Sequence, residues 1–178
     1  MIRTRFSAIA ALVLLVSLTG CVPFDPTAET NNATATSGDA PVENELTWQE
    51  AKAQTQAMEL EIAKLIPEDK VAKIDQGKTG TLFSCSETQH NWNGATTVTL
   101  SKGTEPEPLV KAIEAHYGDS RFTIETDLDI VGDYRVQLRS PDTAASYIIV
   151  RDDPDSIRIA SGSACFTLPE GEYPGGDF

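Results

Sequence analysis

The feature that most constrains this chain is a series of short segments with period-two patterning, joined by short links rich in turn residues. Residues 121–128 place Phe122, Ile124 and Leu128 on one face, and residues 134–139 do the same with Tyr134, Val136 and Leu138. Residues 156–161 contribute Ile157 and Ile159, and residues 145–151 are apolar on both faces, which suits a central strand. The links Ser140-Pro141-Asp142-Thr143 and Asp152-Asp153-Pro154-Asp155 are turn-like. Connections this short leave no room for a crossover, so the strands they join pair antiparallel. Residues 79–86 and the Thr-rich residues 95–101 read as two further strands. Residues 71–76 fit either a short strand or a loop with Val71 and Ile74 tucked in.

Two segments carry helical periodicity instead. In residues 47–66, Trp48, Ala51, Thr55, Met58, Ile62 and Leu65 recur at spacings of three and four, making one mostly apolar stripe. Thr47 and Glu50 have capping-box spacing, and Pro67 marks the stop. In residues 105–117 the buried face is Leu109, Val110, Ile113 and Tyr117, with Gly118 at the C-terminal cap. Thr104 and Glu107 repeat the capping-box spacing, with Pro106 in the first turn. The order α-β-β-α-β-β-β-β predicts an α+β fold, an antiparallel sheet with two helices packed on one face. We place it in one domain, residues 46–178 of the 178.

The first 20 residues have a different character. Arg3 and Arg5 form a positive start, residues 8–18 are almost unbroken apolar chain, and Leu18-Thr19-Gly20-Cys21 closes the run. The stretch is too short to span a bilayer and reads as a signal peptide. Its last four residues resemble a bacterial lipobox. That resemblance implies cleavage before Cys21 and acylation of Cys21, so that several acyl chains hold the protein at the membrane. Residues 21–45 then read as lipidated Cys and flexible tether, with Pro23, Pro26 and Pro41, a Thr/Ala/Asn run and no structural period. Asn32-Ala33-Thr34 matches a glycosylation sequon, a chance match in such a protein.

Charge narrows the partners. The formal charge is −13, and Arg3 and Arg5 are the only charged residues before Cys21, so the remainder carries −15. A chain this acidic does not neutralise phosphates, which excludes a nucleic-acid binder and adsorption to anionic lipid through a basic patch. Outside the cytoplasm disulfides persist, and with Cys21 acylated the remaining pair is Cys85 and Cys165. We expect them to be joined, closing a loop worth about 4.5 kcal/mol in the chain-entropy model. The absence of CxxC spacing argues against a redox pair.

The chemical motifs are sparse. Gly77-Lys78-Thr79 lacks the earlier glycine of a phosphate loop, since position 72 is Ala. Asp127, Asp129 and Asp133 echo a calcium loop, but Val131 and Leu138 stand where ligands are needed. Asp152, Asp153 and Asp155 read as a charged turn. His90 and His116 are the only imidazoles, and no HExxH or GxSxG occurs. No metal, cofactor or catalytic residue is assigned. The candidate binding residues are His90, Asn91, Trp92 and Asn93, within a polar stretch at 86–94. An exposed Trp92 flanked by amides would suit sugar or peptide binding. In the competing reading Trp92 folds back on the core and Asn93-Gly94 forms the hairpin turn. The tail, residues 169–178, reads as an extended segment laid along the domain.

As a whole the chain resembles the small, uncharacterised lipoproteins of actinobacterial envelopes. The lipobox, the acidic tether, Leu82-Phe83-Ser84-Cys85 and Ser163-Ala164-Cys165-Phe166 carry that likeness. It implies the outer face of a Gram-positive cell membrane and transfers no catalytic residue. The expected function is a non-enzymatic, lipid-anchored binding module whose partner is an envelope protein or glycan. The alternatives are a small-ligand carrier with a pocket between helices and sheet, and an envelope-polymer hydrolase using a carboxylate pair.

Overall fold

A computed structural model describes residues 45–178. The expected signal peptide, Cys21 and the expected tether as far as residue 44 lie outside the described residues. The first helix, α1 (Trp48–Ala63), starts at the expected cap. Thr47 Oγ1 accepts from the Glu50 amide, and the Glu50 carboxylate accepts from the Thr47 amide. Its inner face is Ala51, Thr55, Glu59, Ile62 and Ala63. Met58 lies at the edge of that face, and the buried face includes an acid, Glu59.

A 3₁₀ turn (Glu68–Lys70) leads into β1 (Val71–Gln76), so the ambiguous segment is a strand. Then come β2 (Thr81–Ser84), β3 (Gln89–Leu100), α2 (Pro106–Tyr117), β4 (Thr123–Leu128), β5 (Tyr134–Arg139), β6 (Ser146–Arg151), β7 (Ser156–Gly162) and the short β8 (Phe166–Thr167). Pro106 opens α2, but its cap residue is Glu105 and no side chain caps it. The capping box read at Thr104 and Glu107 therefore does not form. With Glu105 at the cap, the third helical position is Pro108, which has no amide to donate to a cap side chain.

The strands form one antiparallel sheet in the order β1-β3-β7-β6-β5-β4, with β2 and β8 also pairing β3. The run from β4 to β7 is a meander, as its short links require. β6, apolar on both faces, lies between β5 and β7. The segment containing α2 carries the chain from β3 to the opposite edge. Both helices pack on the same face, where Ile62, Val98, Val110, Ile113, Val136, Leu138, Ile149, Ile157 and Ile159 form the main core. Full burial of such a side chain contributes about 1.5–3 kcal/mol.

A second cluster gathers Ala51, Trp92, Phe166 and Phe178, with Leu46, Trp48, Leu82 and Leu168 against them. The Cys85–Cys165 disulfide is formed beside it, joining the end of β2 to the approach to β8. No described helix is long and apolar enough to cross a membrane.

Candidate functional site

Burial along β3 alternates from Trp92 onward. Trp92, Thr96, Val98 and Leu100 face the helices and are buried, whereas Asn91, Asn93, Ala95, Thr97 and Thr99 face away and are half-buried. On β7, Ile157, Ile159 and Ser161 face the helices, leaving Arg158 and Ala160 on the open side. Asp75 on β1 opposes Thr97, which opposes Arg158; one turn of the pleat away, Ala95 opposes Ala160. The small side chains of Ala95 and Ala160 sink the middle of this face into a groove of about 840 Å³.

One wall of the groove is the β1–β2 connection, and its backbone is pinned from several sides. The Gly77 amide donates to Ala95 O at 2.9 Å. Gln56 Nε2 of α1 donates to Gly77 O at 2.8 Å, and Lys52 Nζ donates to Lys78 O at 2.7 Å. Gly80 and Phe178 exchange both backbone hydrogen bonds, at 2.8 and 3.0 Å. With the main chain so occupied, the side chains of Lys78, Thr79 and Thr81 remain exposed at the rim.

Behind the wall lies a polar network. Glu59 is wholly buried. Its carboxylate accepts from Ser161 Oγ, from Thr96 Oγ1 at 2.7 Å and from Gln76 Nε2 at 3.0 Å. Gln76 Nε2 also donates to Gln56 O at 2.7 Å. A buried carboxylate is tolerable only with such partners. The chain Glu59–Gln76–Gln56–Gly77 thus ties the interior of α1 to the groove wall.

The groove holds two bases and two acids, Lys78, Arg158, Asp75 and Asp177. Asp75 accepts from Lys73 Nζ at 2.9 Å, and that hydrogen bond and charge hold its carboxyl below the usual carboxylate range. Arg158 makes no ion pair or side-chain hydrogen bond among the described residues, so its fork is free. Phe83 lies at one end and is 60% exposed. From Asn91, opposite Phe83, to Thr97, opposite Arg158, is six residues of strand, about 20 Å.

The expected binding stretch is thereby redistributed. Trp92 is fully buried, so it is not an exposed platform. Its indole Nε1 donates to Phe178 O at 3.2 Å, and Lys52 Nζ sits 5.7 Å over its ring. A Cβ on Gly94 would fall 2.1 Å from the Trp92 ring and one on Gly80 2.5 Å away, so glycines at both positions make room for it. The reading of Asn93-Gly94 as the hairpin turn is also corrected, because both lie within β3. The turn comes earlier, where the Cys85 and Ser86 amides donate to Gln89 O. Ser86 Oγ, accepting from the Thr88 and Gln89 amides, takes up the polar groups that an Asn-Gly turn would need. Asn93 lines the groove and donates to Asn91 Oδ1 at 3.0 Å. His90 lies away from it, half-buried, with Nδ1 buried and unpaired. Sequence reasoning missed Phe83 and Arg158. The signal was the adjacent pair Leu82-Phe83, which a strand cannot turn to the same side.

Two other places bear on the alternatives. A cleft of about 520 Å³ beside α1 is lined by Met58, Glu61, Phe122, Tyr147 and the 140–145 turn. The calcium-like acids are occupied: Asp127 pairs with Arg135, Asp133 with Arg151, and Asp129 accepts from the Val131 and Asp133 amides. They brace a hairpin tip on which Leu128, Ile130 and Val131 are exposed. Among the described residues no three His, Cys, Asp or Glu side chains are grouped to hold a metal. Comparison with known proteins finds no matching family model, no similar curated protein and no similar solved structure.

Proposed function

We propose that this chain is a lipid-anchored, extracytoplasmic binding module of the cell envelope, with the groove on the helix-free face as its binding surface. The observation that carries the reading is the pinned wall of that groove. Its backbone is fixed by Gln56, Lys52 and Phe178, while Arg158, Thr97 and Asn93 stand along the floor. A preformed concave surface with a few convergent polar groups is what a binding site requires. The lipobox supports the anchor, and acylated Cys21 with the tether would hold the domain off the outer face of the membrane.

The hydrolase reading finds less support. A general acid needs a raised pKa, and Asp75 in the groove is held low by Lys73. Glu59 is spent on three hydrogen bonds inside the fold. The carrier reading is favoured only by the cleft at Met58, Phe122 and Tyr147.

Two experiments test the proposal. Cys21→Ala should abolish labelling by a palmitate analogue and move the protein from the membrane fraction to the medium. Full-length protein should capture an envelope component that Arg158→Ala no longer captures. Capture unaffected by Arg158→Ala would move the site elsewhere. Ligand loss on filling the α1 cleft with Ala57→Trp would favour the carrier.

A further inference from the structure

We infer that the groove takes a neutral glycan strand, laid along β3 with one sugar ring stacked on Phe83. The inference rests on reading the groove as the binding site. Four observations select this ligand class. First, the lining holds two bases and two acids, so it offers no net charge to select an ion. The chain's formal charge of −13 also repels polyanions. Second, the floor is the face of a sheet whose backbone groups are already paired across β1, β3 and β7. A peptide that adds as a further strand needs free main-chain groups at a sheet edge, and the floor presents none. What it does present are side chains suited to hydroxyls: the amide of Asn93, the hydroxyl of Thr97 and the unpaired guanidinium of Arg158. Third, Phe83 is 60% exposed at the end of the groove, where it supplies a flat apolar surface at low entropy cost. Fourth, the path from Phe83 to Arg158 runs about 20 Å along the strand, long enough for several linked rings and too long for one.

The test uses the full-length protein in detergent and four neutral hexasaccharides: maltohexaose, cellohexaose, mannohexaose and chitohexaose. Calorimetry should find binding to at least one. Phe83→Ala should weaken it about tenfold. Phe83→Trp should restore it, an outcome that a merely structural role for Phe83 would not produce. Arg158→Ala should weaken binding by a similar factor. Both side chains are exposed, so circular dichroism of the variants should match the parent. Binding to none of the four sugars overturns the glycan inference. If an envelope protein is then captured in an Arg158-dependent way, the groove remains the binding site and its ligand is a protein. If neither sugar nor protein depends on Phe83 or Arg158, the groove reading fails as well.

Discussion

Along β3, neighbouring residues face two very different surroundings. Trp92, Thr96 and Val98 are enclosed by helices, while Asn93, Ala95 and Thr97 line an open groove. On the helix side the polar groups around Glu59 have protein partners, whereas the buried Tyr117 hydroxyl has none among the described residues. Glu59 receives three hydrogen bonds and the Trp92 amide donates to Ser163 Oγ. On the open side, Arg158 has no ion pair among the described residues, on a chain with almost twice as many acids as bases. The enclosed face pays for its own order; the open face is organised by hydrogen bonds made behind it. Substitutions on the two faces should therefore separate into effects on stability and effects on binding.

The largest effect is expected from Trp92→Ala, which empties the aromatic cluster and removes the indole donor from Phe178 O, leaving the Gly80 amide and Lys52 Nζ on it. It should cost about 3–5 kcal/mol in urea denaturation. A loss below about 1 kcal/mol would mean that the cluster is not cooperative with the main core. Glu59→Ala leaves Ser161, Thr96 and Gln76 without their acceptor and should cost about 3 kcal/mol, with Glu59→Gln milder. Because the network reaches Gly77, Glu59→Gln should also loosen the groove wall, seen as faster amide exchange at residues 77–80.

A pH experiment probes the same face. Burial pushes the Tyr117 and Tyr147 hydroxyls up from 10.0 to about 12. The unfolded chain releases these protons from about pH 10 while the folded chain keeps them. Their stabilisation is thus complete below pH 10 and is lost as pH rises towards 12. Tyr147→Phe should flatten the fall in urea midpoint over that interval, and an unchanged fall would place the hydroxyl in water. The smallest stability effect belongs to the open face. Phe83→Ala should change stability by less than about 0.5 kcal/mol, and a larger loss would make Phe83 a packing residue.

The fold was legible because its signals are local. The Thr47–Glu50 cap, the period-two runs and the short links identified α1 and the meander, and cysteine context identified the disulfide. Residues 89–94 misled because polar composition suggested a loop. Pairing with β2, β7 and β8 makes them strand, and β7 and β8 lie far away in sequence. The groove was invisible for the same reason. Asp75, Thr97 and Arg158 come from three strands, and only the order β1-β3-β7 puts them in a row. Glu59 ran against the rule that acids face water, and only its three donors, from β1, β3 and β7, explain its position.

The bonds at Phe178 also have a consequence for the timing of folding. Lys52 meets Phe178 across 126 residues of sequence and Trp92 meets it across 86. Contacts that close such long loops are the slowest to form, whereas the β4–β7 meander needs only its short turns. The meander can therefore be in place while the groove is still unformed, because the floor also waits for the long-range pairing of β3 with β7, and the site reaches its working shape only when residue 178 has docked on Gly80.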